Sequence, residues 1–357
     1  MTTRTPAETQ QPDKNGKIPL LIGVSSGKSK ILLLPDTKMH KMVFLDAASL
    51  PGVDLTPLQQ PGFELHTYPH SNSTELAERL CGASVAIVNK VVLDDQILAT
   101  LPDLKLICVT ATGINNIDLA AASRAGIRVC NARDYALDAV PQHCMALLLA
   151  LTNQLLPYQK AIARGDWSKS PQFCLLDYPI RQLRGLNFSV IGYGGLGQAT
   201  AALARAFGMQ VLIAERPDAS EIRPGRVSFR QALEQADVLS LHCPATADNR
   251  HLLNATTLGW LKPDALLLNT ARGSLIDAVA LAAALKNHQL AGAALDVLDQ
   301  EPPAADHPLL DPGIPNLLLS PHVAWASGQA MQALINQTAE NIRAWQQQQL
   351  LRCCNQP

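Results

Sequence analysis

Aromatic residues are scarce in this chain, at 4% of 357 positions, and no apolar run approaches the roughly 20 residues that span a bilayer. Two short apolar stretches, at 18–24 and 31–34, are separated by Ser-Ser-Gly-Lys-Ser-Lys and followed by no clear small-residue cleavage site. Neither a membrane span nor a signal peptide is therefore expected. An excess of one charge is missing too: 29 Lys and Arg balance 30 Asp and Glu, for a net charge of −1. Without a basic run there is no electrostatic footprint for nucleic acid. The eight cysteines, at positions 81, 108, 130, 144, 174, 243, 353 and 354, form no CxxC pair. In a chain this long without a secretory signal they are expected to be reduced thiols of a cytoplasmic protein. A phosphate-cradling P-loop is absent as well, because Gly27-Lys28-Ser29 lacks a glycine five positions earlier, where Ile22 stands. His66 and His70 have the spacing of helical metal ligands, but Pro69 and the surrounding strand pattern argue against a helix, and no metal site is expected. His143, on a long helix, reads as a packing or interface residue.

What the chain does contain is aliphatic residues in an alternating order of strand and helix. Residues 1–17 are polar and read as a disordered tail, and 1–40 as an extension ahead of the first domain. Short apolar strands are expected at 42–46, 63–68, 85–88, 104–109 and 129–131, with helices at 73–80, 93–99 and 119–125 between them. A long helix capped by Asp138, with Pro141 in its first turn, is expected to run through 145–162. The stretch that follows, to Arg184, is aromatic and irregular, and too long for an ordinary connection. It reads as an arm reaching onto another subunit, or as a local flap. A second series of strands is expected at 188–191, 211–214, 238–242, 265–269, 291–296 and 317–320, with helices at 196–207 and 277–286. A last helix at 329–347 is expected to return to the first domain, followed by a polar tail. The class is α/β, with two Rossmann-like domains built on parallel sheets, the second doubly wound and dinucleotide-binding. The expected boundaries are 41–137 with 324–350 for a substrate-binding domain, and 138–323 for an NAD-binding domain. Helix 138–165 and arm 166–185 are expected to make homodimer contacts.

Gly192-Tyr193-Gly194-Gly195-Leu196-Gly197 is a GxGxxG run that follows an expected strand and opens an expected helix, with Glu215 ending the next strand. Those contexts are the ones a dinucleotide fingerprint requires. Gly192 permits the tight turn, Gly194 and Gly195 the approach of backbone to a pyrophosphate, and Gly197 close packing of helix on strand. Unpaired N–H groups of the helix, beginning near Leu196, suit the diphosphate. Glu215 would hold the adenosine ribose hydroxyls, which favours NAD over NADP. Arg216 is the one residue there that suits a 2′-phosphate. His242, Cys243 and Pro244 end a strand of the same sheet and are candidate cofactor contacts, as are Thr270, Ala271 and Asp296.

Three further segments end strands of the second domain: Leu268-Asn269-Thr270-Ala271-Arg272-Gly273, Asp296-Val297-Leu298-Asp299-Gln300-Glu301-Pro302-Pro303, and Ser320-Pro321-His322-Val323-Ala324-Trp325-Ala326-Ser327. Ligands of open α/β sheets bind beyond the carboxyl ends of strands, so Arg272, Glu301 and His322 would meet there. With Ala111-Thr112-Gly113-Ile114-Asn115-Asn116-Ile117-Asp118 and the glycine loop, these segments in this order resemble the D-2-hydroxyacid dehydrogenase family, nearest its glycerate dehydrogenase (hydroxypyruvate reductase) branch. The likeness spans about 42–347. It implies that His322 is the acid/base that exchanges a proton with the substrate oxygen, and that Glu301 orients it and raises its pKa. Arg272 would hold the substrate carboxylate, aided by backbone N–H groups of Thr112 and Gly113. The substrate implied is a small 2-keto or 2-hydroxy acid, hydroxypyruvate and glyoxylate first.

The pattern departs from the family at Asp134, where glycine is common, and at Asn249, where threonine is common. Asp134 bears on substrate identity more than on reaction type, since it tolerates positive φ better than a branched residue does. Formate dehydrogenase shares the fold but pairs its histidine with glutamine, so Glu301 opposes that assignment. The sequence shows no basic phosphate pocket in the first domain, although 3-phosphoglycerate stays an alternative substrate. From another class, an NAD(H)-sensing regulatory protein of the same fold is the competing reading.

Overall fold

The computed structural model describes residues 39–356, so the polar tail and nearly all of the expected extension lie outside the described residues. The first sheet begins earlier than its apolar pattern: β1 (His40–Phe44) includes His40 because that residue pairs with Phe63 of the neighbouring strand. It is joined by β2 (Phe63–Thr67), β3 (Ala83–Val88), β4 (Leu106–Val109) and β5 (Arg128–Cys130), all parallel, in the order β2-β1-β3-β4-β5. Every residue of β3 is buried, as expected of a central strand covered on both faces. Side-chain alternation divides the core. Val43, Ala86, Val88 and Ile107 face helices α1 (Leu76–Leu80), α2 (Asp95–Leu98) and α3 (Leu119–Arg124). Met42, Phe44, Val85 and Ile87 face the C-terminal helix, through its Leu334, Ile335, Ala339 and Ile342.

The single long helix expected after residue 138 is two helices. α4 (Ala139–Thr152) ends at Asn153, Gln154 takes a left-handed φ of 54°, and α5 (Leu155–Ala163) begins anew. Asp138 precedes α4 without capping it through its side chain. The second sheet contains β6 (Asn187–Ile191), β7 (Gln210–Ile213), β8 (Val238–Leu241), β9 (Leu266–Asn269), β10 (Gly292–Leu295) and β11 (Leu317–Leu319). Its order is β11-β10-β9-β8-β6-β7, again all parallel. Helices α6 (Gly195–Ala206), α7 (Phe229–Gln235), α8 (Ala255–Leu258), α9 (Ala278–Lys286) and α10 (Gly328–Gln346) are the other α-helices among the described residues. α7 and α8 were not foreseen. Both are short, and each is started by a local side-chain cap, from Ser228 and Asn254.

The C-terminal polar segment after α10 is also bound. Cys354 donates to the Val129 carbonyl and Asn131 to the Arg352 carbonyl, which adds an antiparallel bridge at the edge of β5. Both sheets reverse strand order beside their first strand, between β1 and β3 and between β6 and β8. Loops leaving the carboxyl ends there diverge and leave a crevice, the usual place for a ligand in this architecture.

Candidate active site

The glycine loop leaving β6 is shaped by contacts that exclude side chains. Gly192 has φ 89°, and a Cβ there would lie 2.6 Å from the His242 carbonyl carbon and overlap the Cys243 nitrogen. A Cβ on Gly197 would overlap the Gly192 carbonyl oxygen, so helix α6 packs directly on the turn. Gly194 has no neighbour within 4 Å of a Cβ position and leaves an open face. No side chain caps α6, and its first N–H groups have no intrahelical acceptor. Nearby, the buried Thr270 hydroxyl lacks a hydrogen-bond partner among the described residues. An uncapped helix N-terminus, an open glycine and an orphaned hydroxyl fit a dinucleotide diphosphate and its flanking groups.

Glu215 follows β7 and is only 3% exposed. Its carboxylate receives hydrogen bonds from Arg223 Nε (2.7 Å) and Nη2 (2.6 Å) and from the Arg216 N–H (3.0 Å), with Arg226 3.8 Å away. The Arg223 hydrogen bonds are the main cause that holds its pKa down, to about 2. Arg216 thus touches Glu215 through backbone, and the guanidinium on that carboxylate belongs to Arg223, eight residues along. His242 borders the cleft with its Nε2 2.8 Å from the Ser240 hydroxyl, and burial lowers its pKa to about 4, which keeps it neutral. Cys243 backs Gly192, while Pro244 accepts from the Asn249 amide at 2.8 Å, so Asn249 ties its own loop.

Arg272 is placed by the residues around it. Asn269, fully buried at the end of β9, accepts from the Ala271 N–H and donates to the Arg272 carbonyl, both at 2.9 Å. Gly273 then lies so close to the Leu298 backbone that any Cβ would overlap it, which brings the loops after β9 and β10 together. The Arg272 guanidinium crosses to the first sheet, where a Cβ on Gly113 would sit 3.0 Å from its Nη2. Thr112 is held by the Asn131 amide (2.8 Å), and Asn131 in turn accepts from the buried Asn341 of α10 (2.9 Å).

His322 Nδ1 lies 2.6 Å from Glu301 Oε2, and Glu301 Oε1 accepts the Leu298 N–H at 2.9 Å. Burial pushes the Glu301 pKa up, but the bonds from His322 and Leu298, with the charges of His322 and Lys90, outweigh it and leave the pKa lowered. His322 has a left-handed φ of 56°, fixed by its N–H on the Asp296 and Ser320 carbonyls. Asp296, 1% exposed, takes the Ser320 hydroxyl (2.5 Å) and the Val323 and Ala324 N–H groups (3.0 and 2.8 Å). His143 completes that network, with Nε2 2.9 Å from Ser320 Oγ.

One cleft of about 770 Å³ lies between the strand ends of both sheets. Arg272, Glu301, His322, Thr112 and Gly113 border it together, as do Gly194, Gly195, Leu196, His242, Thr270 and Asp296. Glu215, Arg216, Cys243, Pro244 and Ala271 do not line it. Lys90 and Tyr135 do, and neither was singled out from the sequence. Burial pushes the Tyr135 pKa up to about 12 against the pull of Arg272. Asp134, also on the cleft, has φ 55°, the conformation in which glycine is the easier residue.

Among the described residues no helix is long and apolar enough to cross a membrane. Residues 145–324 match the family model described as D-isomer specific 2-hydroxyacid dehydrogenase, NAD binding domain. The chain is 45% identical to a glycerate dehydrogenase of Methylorubrum extorquens, covering 85% of this chain and 96% of that one. It is 34% identical to a hydroxypyruvate reductase of Blautia hydrogenotrophica, covering 85% and 95%. The crystal structure of the TT0316 protein from Thermus thermophilus superposes with a TM-score of 0.78 at 33% identity, over 88% of this chain and 99% of that one.

Proposed function

Because the chain belongs to the D-isomer-specific 2-hydroxyacid dehydrogenase family and is an NAD-binding enzyme, we propose that it interconverts hydroxypyruvate and D-glycerate, with glyoxylate and glycolate as a second pair. The carrying observation is the convergence of Arg272, Glu301 and His322 on one cleft beside the open N-terminus of α6. When bound, NADH supplies a hydride to the carbonyl carbon. Arg272, a planar cation projecting to the opposite wall at Gly113, pairs with the substrate carboxylate and polarises the neighbouring carbonyl. Backbone N–H groups of Thr112 and Gly113 assist. His322 has Nδ1 on Glu301, so Nε2 is the nitrogen that gives a proton to the nascent alkoxide and recovers it in the reverse direction. Glu301, anchored by Leu298, keeps the ring turned and balances its positive charge. The Thr270, Glu215 and glycine-loop groups would hold the cofactor, and Glu215 supports NAD over NADP.

Residues 41–137 with 324–350 would form the substrate-binding domain and 138–323 the cofactor domain, a division supported by the packing of α10 on the first sheet. All eight cysteines are free thiols, which supports a cytoplasmic setting. A homodimer is supported by the arm after α5, where Phe173, Leu176 and Ile180 are 93%, 74% and 59% exposed. Light scattering on purified protein should give twice the chain mass, and Phe173→Asp with Leu176→Asp should shift it toward monomer. A wild-type monomer would remove the proposal.

Turnover is tested by following NADH absorbance with hydroxypyruvate, glyoxylate and pyruvate, then repeating with NADPH. No oxidation with any acid and either cofactor would defeat the reading. Gly113→Ala should leave the melting temperature unchanged, since only the tip of a flexible side chain is crowded. It should raise KM for the acid about 10- to 100-fold by displacing the guanidinium. An unaltered KM would show that Arg272 does not work against that wall.

A further inference from the structure

The first sheet has its own strand-order reversal, and the two loops at that point are joined by one carboxylate. Asp46, following β1 and 6% exposed, accepts the N–H groups of Asn89, Lys90 and Val91 beyond β3 at 2.7–3.2 Å. Asn116 braces the same loop, donating to the Val91 carbonyl at 2.9 Å and to the Asn89 carbonyl at 3.4 Å. Lys90 is therefore mounted on backbone fixed from two sides. Its residue borders the cleft with Arg272, Glu301 and His322. Among the described residues no hydrogen bond or ion pair engages its ammonium. Loss of solvent around the amine, followed by the charge of Arg272, holds its pKa below the ordinary lysine value, although Glu301 and Asp46 pull the other way. The residue is exposed to the open cleft, so water engages the amine until a ligand that carries an acceptor displaces it.

The chemistry of the substrate limits which acceptor that is. Arg272 takes the carboxylate at C1 and His322 the oxygen on C2, so only the substituent at C3 has no partner. Glyoxylate has no C3 and pyruvate offers a methyl group there, whereas a hydroxymethyl group presents an oxygen lone pair. A phosphorylated C3 would bring further negative charge and call for several donors, which a single amine does not supply. We propose that Lys90 is a specificity-determining residue, whose ammonium donates a hydrogen bond to the C3 oxygen of the 2-keto acid. This rests on the acid-reducing reading above.

The test compares kcat/KM for hydroxypyruvate with that for pyruvate, at saturating NADH, in wild type, Lys90→Met and Lys90→Gln. The ratio should fall about 10- to 100-fold in Lys90→Met, the loss expected for a hydrogen bond from a charged donor. Lys90→Gln, which retains a donor, should recover part of it. A ratio unchanged in Lys90→Met would overturn the inference while leaving the acid-reducing reading intact. So would a wild-type enzyme that prefers 3-phosphohydroxypyruvate to hydroxypyruvate. Wild-type protein inert toward every acid would overturn both.

Discussion

His322→Ala is expected to lower kcat/KM about 10²- to 10⁴-fold, the range contributed by a positioned general acid. NADH affinity, read by fluorescence titration, should stay close to wild type. The reason lies in how the residue is anchored. The His322 N–H bonds the Asp296 and Ser320 carbonyls, its own carbonyl accepts from Trp325 Nε1 at 2.9 Å, and the next two N–H groups bond the Asp296 carboxylate. All those contacts are backbone on the His322 side, so alanine keeps the loop and removes only the imidazole. Glu301 then loses its 2.6 Å partner but retains the Leu298 N–H. Wild-type turnover in this variant would show that the proton comes from elsewhere.

Arg272→Lys is expected to cost about 10²- to 10³-fold in kcat/KM, mostly through KM, because a point charge replaces a two-pronged donor at a bidentate site. The guanidinium is directed by its Nη1 bond to the Ala271 carbonyl at 2.7 Å and by the Asn269 clamp on its backbone. A lysine at that position has no fork to keep one donor on Ala271 while presenting others to a carboxylate. Binding of oxamate, an unreactive analogue bearing the same carboxylate, should weaken in parallel. A KM within about threefold of wild type would remove Arg272 from carboxylate binding.

Much of the fold was legible because parallel strands, buried on both faces, appear as short unbroken apolar runs such as Val85–Val88 and Ala265–Leu268. Arg272, Glu301 and His322 were legible for a related reason: each follows such a run, where the architecture puts ligands. The same rule applied to β3 points to Lys90, but the first domain lacks a glycine fingerprint to draw attention to it. The break between α4 and α5 was signalled only by Pro157, which falls in the first turn of α5, because Gln154, the residue that turns at φ 54°, is neither glycine nor proline. Arg223 was hidden differently. It reaches Glu215 across the intervening residues 216–222, whose course the sequence does not prescribe, whereas Arg216 is adjacent in sequence but contacts the carboxylate only through its N–H.

The central claim is hydride delivery to the substrate carbonyl carbon, coupled to a proton from His322. The most direct measurement is to reduce hydroxypyruvate with NADH doubly deuterated at nicotinamide C4, then determine the label position and configuration of the product. The account predicts D-glycerate carrying one deuterium at C2. L-glycerate, or product without deuterium at C2, would contradict it.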